Sequence, residues 1–131
     1  MIRRHLTLLA LPGTLAICRL PPTEAVPAWA VSGPFVSITR TAEELSVVCP
    51  ESVVPEGVRC ERGWRAWRLA GTFDLTAETG VLASVAVPLA EAAIPIFAVS
   101  TFDTDYVLVK AADIERAAKV LREWGHEVGQ K

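Results

Sequence analysis

Apolar residues along the chain come mostly in short alternating runs cut by proline and glycine, and only twice lengthen into helical spacing. Residues 65–70 read as a strand, with Trp67 and Leu69 on one face and Arg65 and Arg68 nearer solvent. A polar loop over 71–78 leads to Thr79, placed as an N-cap because its hydroxyl can accept a free first-turn N–H. A helix is predicted over 80–93, with Leu82, Val85, Leu89 and Ala92 as its buried stripe and Pro88 as a kink. Residues 94–101 and 105–110 are predicted strands joined by a short polar connection. Asp113 starts a last helix running to Trp124. Ile114, Ala117, Leu121 and Trp124 form its inner face, and Glu115 pairs with Lys119 outside. Gly125 stops it, and Glu127 and Val128 begin an edge strand. The order β-α-β-β-α-β is the ferredoxin-like plan, an α+β fold whose antiparallel sheet carries its helices on one face.

The same order recurs upstream. Sliding the chain by 61 positions lays residues 35–48 over 96–109 and Ala25-Val26-Pro27 over Ala86-Val87-Pro88. Two tandem units are therefore expected, residues 1–61 and 62–131. The first is worn down. Pro50, Pro55, Gly57 and Gly63 interrupt its second helix, and its first, near 23–31, is short and bounded by proline.

The offset also bears on the N-terminus. Arg3 and Arg4 precede an apolar run over 6–17 that ends at Cys18, a pattern shared with signal peptides. Pro12-Gly13 breaks that run, and Ile17 is too bulky for a cleavage site. A hairpin of 5–11 and 14–19 about the Pro-Gly turn is expected instead, with Leu6 and Leu8 taking the places of Trp67 and Leu69. That puts the run inside the fold and the protein in the cytoplasm.

Composition narrows the function. Half of the 131 residues are hydrophobic, 21% are charged, and the net charge is −2. Such a chain has enough apolar material for a core and too little positive charge for a phosphate-tracking surface. The interleaved Arg62-Gly63-Trp64-Arg65-Ala66-Trp67-Arg68 could stack on bases, but its period of two makes Trp67 core, and no nucleic-acid partner is expected. The stretch 81–99 contains Pro88, Glu91 and Pro95, so it is no membrane span. Cys18, Cys49 and Cys60 form no C-x-x-C pair, and His5 and His126 lie at opposite ends. Neither a disulfide framework nor a metal site is expected.

Polar residues gather at one place. The run Thr76-Ala77-Glu78-Thr79-Gly80 precedes a helix N-terminus, where free N–H groups suit a carboxylate and Gly80 permits close approach. Asp103 and Asp105 follow the next strand and suit an ammonium group. The same residues also have plain structural roles, as cap, turn and strand end.

The segment 79–110 resembles the small bacterial ACT-domain proteins. The match rests on Gly80-Val81-Leu82-Ala83, Pro88-Leu89-Ala90-Glu91 and above all the block from Ser100 through Thr101, Phe102, Asp103 and Asp105 to Val109. It is similar to the ACT domains of CASTOR-type arginine sensors and, more distantly, of aspartate kinase regulatory regions. The resemblance implies tandem ACT units, residues 1–61 being the degenerate one. It also implies an amino acid held at an inter-repeat or inter-subunit interface. Residue by residue, it implies Glu78, Thr79, Gly80 and Val81 on one side of the ligand, and Thr101, Phe102 and Asp105 on the other; Asp103 joins the candidate site from the reading of the acidic residues above.

The expected function is thus a non-catalytic, cofactor-free regulatory module that binds an amino acid or similar small ligand, as a homodimer or with a partner protein. The alternatives are a structural subunit without ligand or a small enzyme. For the last, neither a nucleophile–base pair nor a G-x-S-x-G or H-E-x-x-H motif occurs.

Overall fold

A computed structural model describes residues 4–74 and 76–129; Arg3 of the basic pair lies outside them. Along the chain run strands β1 (Thr7–Ala10), β2 (Leu15–Leu20), β3 (Ser37–Arg40), β4 (Leu45–Pro50) and β5 (Cys60–Leu69). Helix α1 (Ala83–Glu91), β6 (Phe97–Ser100), β7 (Asp105–Lys110), helix α2 (Ile114–Glu123) and β8 (Glu127–Val128) follow. Among the described residues, no helix is long and apolar enough to cross a membrane.

These elements sort into two compact units. Residues 13–64 make one, and the described residues up to Pro12 join those from Arg65 onward to make the other. The expected boundary between 61 and 62 falls inside β5, which supplies residues to both units.

In the N-terminal unit the strands lie in the order β3-β4-β2-β5 and are antiparallel throughout. Counted along the unit this is second, third, first, fourth, the ferredoxin-like arrangement. Where the plan calls for helices, the chain makes only 3₁₀ turns, at Ala28–Val31 and Glu51–Val53. Pro21, Pro22, Pro27 and Pro34 in the first connection, and Pro55 and Gly57 in the second, leave no room for a hydrogen-bonded helix. Alternate residues Ala16, Cys18 and Leu20 of β2 and Leu45, Val47 and Cys49 of β4 build its core, closed by Ala30 and Val54. A bulge in β5 at Arg62-Gly63 absorbs the register shift between Leu15↔Trp64 and Ile17↔Glu61. Gly63 supplies the positive φ of 78° there. Its N–H donates to Oε1 of Glu51 at 2.8 Å.

In the C-terminal unit the order is β6-β7-β5-β1-β8. The strand beside β5 is β1, antiparallel to it with Leu8 opposite Leu69 and Ala10 opposite Trp67. The two-residue β8 pairs parallel with β1 on the far side. This corrects the expected hairpin and the assignment of residues 5–11 to the first unit. β1 has β5 and β8 as neighbours and β2 has β4 and β5, so the Pro12-Gly13 turn joins two units. Leu8 and Leu69 are cross-strand partners, not equivalent positions in two repeats. Both helices cover one face of the sheet. Val85 and Leu89 of α1 and Ala117 and Leu121 of α2 pack with Leu8, Trp67, Leu69, Val107 and Val109.

The repeat is visible in the strands, at a spacing of 60. Ser37 pairs with Val48 and Phe97 with Leu108, and both members of the second pair follow the first by 60 positions. The expected 61 is one too many, and a one-residue slip turns every side chain to the other face.

Helix boundaries also move. Thr79 does not cap α1; the N-cap position is Leu82, with no side-chain hydrogen bond. The helix is nine residues, shorter than the expected 80–93, and continues through Pro88. α2 starts after Asp113, as the sequence predicts, and Gly125 follows it with φ 108°. Its side-chain pairs are Lys119 with Glu123 and Arg116 with Asp113, rather than Glu115 with Lys119.

Candidate functional site

Two segments of the C-terminal unit meet beside the N-terminus of α1. One is the loop from Phe73 to Val81, and the other is the turn between β6 and β7. Backbone bonding brings them together: the Phe73 N–H donates to the Asp103 carbonyl at 2.7 Å. The turn is held from below as well. Thr104 is 5% exposed, and its hydroxyl donates to the Leu69 carbonyl at the end of β5, 2.7 Å away. Across the turn, the Thr101 N–H and hydroxyl both reach the Thr104 carbonyl, at 2.8 and 3.0 Å.

Between the segments lies a cleft of about 90 Å³, lined by Glu78, Val81, Thr101, Phe102, Asp103 and Asp105, with Phe73, Asp74 and Thr104. Six of the eight residues expected from the sequence are therefore adjacent. Thr79 and Gly80 are exposed and outside the lining. Gly80 instead gives the loop its left-handed step, with φ 74°. Phe102, at the tip of the turn, is 82% exposed.

Four carboxylates line this cleft: Asp74, Glu78, Asp103 and Asp105. Glu78 is committed. Its Oε1 receives Arg4 Nη2 at 2.8 Å, and its Oε2 accepts the Asp74 N–H at 3.0 Å. Asp74 makes an Asx turn, accepting the N–H and hydroxyl of Thr76 at 3.0 and 2.9 Å. Those two bonds hold its carboxyl below the usual range. Asp105 accepts from the Ser100 hydroxyl at 2.5 Å. The acidic edge suits an ammonium group. Beside it, the first turn of α1 carries neither a side-chain cap nor an acidic residue; its N–H groups turn back on the chain, Ser84 to the Gly80 carbonyl and Val85 to the Leu82 carbonyl, each at 3.0 Å.

Arg4, Phe73, Asp74 and Thr104 are site residues that the sequence does not single out. The Asp-x-Thr spacing at 74–76 is a legible turn signal; the reach of Arg4 across 74 residues is not.

The cysteines lie elsewhere, in the N-terminal unit. Cys18 stands opposite Cys60 on neighbouring strands, and both pack with Cys49. Burial, reinforced by the adjacent thiols, pushes Cys18 up to about 12, and burial also raises Cys49. Among the described residues, no cluster of three or more His, Cys, Asp or Glu is arranged to hold a metal ion.

Comparison with known proteins agrees with the two units. A family model of the ACT domain matches residues 59–123, and a model of an N-terminal domain matches residues 13–57. Among curated proteins no sequence matches. Among solved structures, a protein from Agrobacterium tumefaciens is 44% identical, with a TM-score of 0.93 over 98% of this chain and 95% of that one. A Vibrio cholerae protein of unknown function is 17% identical, with a TM-score of 0.73 over 92% and 90%. The regulatory subunit of aspartate kinase from Thermus thermophilus, in its ligand-free form, is 10% identical and shares the fold, with a TM-score of 0.59 over 86% and 93%. With the ferredoxin-like strand order and the ACT match over residues 59–123, the chain is an ACT-domain protein, its ACT domain being that C-terminal stretch.

Proposed function

We propose that the protein is a regulatory module that binds an amino acid at the edge formed by Glu78, Val81, Thr101, Phe102, Asp103 and Asp105. The observation that carries this reading is their convergence. Residues from two segments some twenty positions apart surround one cleft with an acidic edge in an ACT unit. The ligand's ammonium group would sit against Asp103 and Asp105, with its carboxylate toward the positive dipole end of α1.

The cleft is half a site. Ligand pockets run to about 300–1,000 Å³, and about 90 Å³ holds only a few waters. A second surface must close it. The exposed ring of Phe102 is placed to meet that surface, and a second copy of this chain is the simplest source. Binding would then couple to assembly: ligand favours the closed pair, and a partner protein reads that state. This is a non-catalytic role, in keeping with the neighbour that is a kinase's regulatory subunit. The cytoplasm, where free amino acids are plentiful, is the compartment it requires.

Thermal melts against the twenty L-amino acids at millimolar concentration test the reading. At least one should raise the melting temperature, because a ligand bound only by the native state stabilises it by mass action. A flat panel would leave a structural subunit without ligand.

A further inference from the structure

A second cleft in the C-terminal unit, of about 430 Å³, shares no lining residue with the first. Small residues are frequent in its lining, among them Ala10, Ala66, Ala118 and Gly129. The polar groups around it are Arg65 of β5 and Glu115 and Arg122 of α2.

Their bonding is incomplete. Among the described residues, Nε of Arg65 is buried without a hydrogen-bond partner, and its Nη2 makes a long 3.4 Å contact to the Leu11 carbonyl. Arg122 places Nη2 3.0 Å from the Val128 carbonyl. A guanidinium carries five N–H donors, so most of both forks is unspent. Among the described residues neither arginine has a carboxylate partner, although Glu115 borders the same cleft. Two guanidiniums without a carboxylate partner at a cleft of ligand size suit a compact oxyanion, which a guanidinium fork can hold through two parallel bonds.

We propose that this cleft binds the carboxylate or phosphate group of a small metabolite, between Arg65 and Arg122. Glu115 limits the charge the site accepts and excludes polyanions such as nucleic acid by repulsion. The proposal stands independently of the amino-acid site.

The test is calorimetric titration of the full chain with succinate and with inorganic phosphate, at fixed ionic strength. At least one should bind with a millimolar or tighter dissociation constant, and which one does so names the oxyanion. Arg65→Gln and Arg122→Gln should each weaken it tenfold or more, and Asp105→Ala should leave it unchanged. Glu115→Gln, on the exposed face of α2, should bind the anion several-fold more tightly, and it serves if an arginine variant fails to fold. No binding at 10 mM of either anion would overturn the proposal. So would equal affinity in the arginine variants, or a Glu115→Gln variant no tighter than the parent.

Discussion

Nε2 of His126 lies 2.7 Å from the Ser84 carbonyl oxygen, the acceptor that Pro88, four residues on, has no N–H to fill. The other ring nitrogen, Nδ1, accepts the Leu6 N–H at 3.0 Å. The ring is therefore neutral, protonated at Nε2, with both nitrogens satisfied at 3% exposure. One side chain repairs the gap that proline leaves in α1 and ties the N-terminal strand to the unit it completes.

His126→Ala should destabilise the protein by about 2–4 kcal/mol, since a buried N–H and a buried C=O both lose their partner. Urea denaturation measures it. In a Pro88→Ala background the backbone regains an N–H at that position, which can donate to the Ser84 carbonyl, so the same change should cost about 1 kcal/mol less. Strict additivity of the two substitutions would refute the repair role.

Two glycines with positive φ should differ. A Cβ on Gly33 would overlap the Pro50 ring, whereas nothing lies within 4 Å of one on Gly13. Gly13→Ala should cost about 1 kcal/mol from backbone strain alone. Gly33→Ala should cost clearly more, because backbone or ring must also move. Melting temperatures of the pair decide it.

Stability should fall in alkali through Cys18. The folded thiol is raised to about 12 against an ordinary 9.0, so above pH 9 the unfolded chain holds fewer protons than the native one. The contribution is complete below pH 9 and is lost as pH rises toward 12, at about 1.4 kcal/mol per pH unit. The difference between wild type and Cys18→Ala, measured by denaturation from pH 8 to 11, should narrow with that slope. A constant difference would contradict it.

Asp105→Ala should separate binding from folding. The side chain is partly exposed and its bond is to the exposed Ser100. Stability should change by less than about 1 kcal/mol. Any amino-acid-induced rise in melting temperature should disappear.

What the sequence reveals is local. The bounds of β7 and the start of α2 follow from alternation and from helical spacing. Partners do not follow. Residues 7–10 read as a strand, but only long-range pairing with Leu69 and Val128 decides which unit they join. The repeat reads one residue off because Val47-Val48 and Val107-Leu108-Val109 accept either alignment by apolarity. The burial of Val47 and Cys49 in one core, and of Val107 and Val109 in the other, selects 60. In the site, the expected acidic residues come together because a turn and a loop are each legible. Thr79 has the chemistry of an N-cap but not the place, because the chain steps left-handed at Gly80 before the helix begins. His126 looks idle in the sequence because its partners are 42 and 120 residues away.

The most direct test of amino-acid binding is an NMR titration of the labelled protein with whichever amino acid stabilises it most. Binding at the proposed edge predicts amide shifts concentrated in residues 73–83 and 100–105, saturating with ligand and absent in Asp105→Ala. Shifts that cluster elsewhere, or no saturable shifts with any of the twenty amino acids, would contradict it.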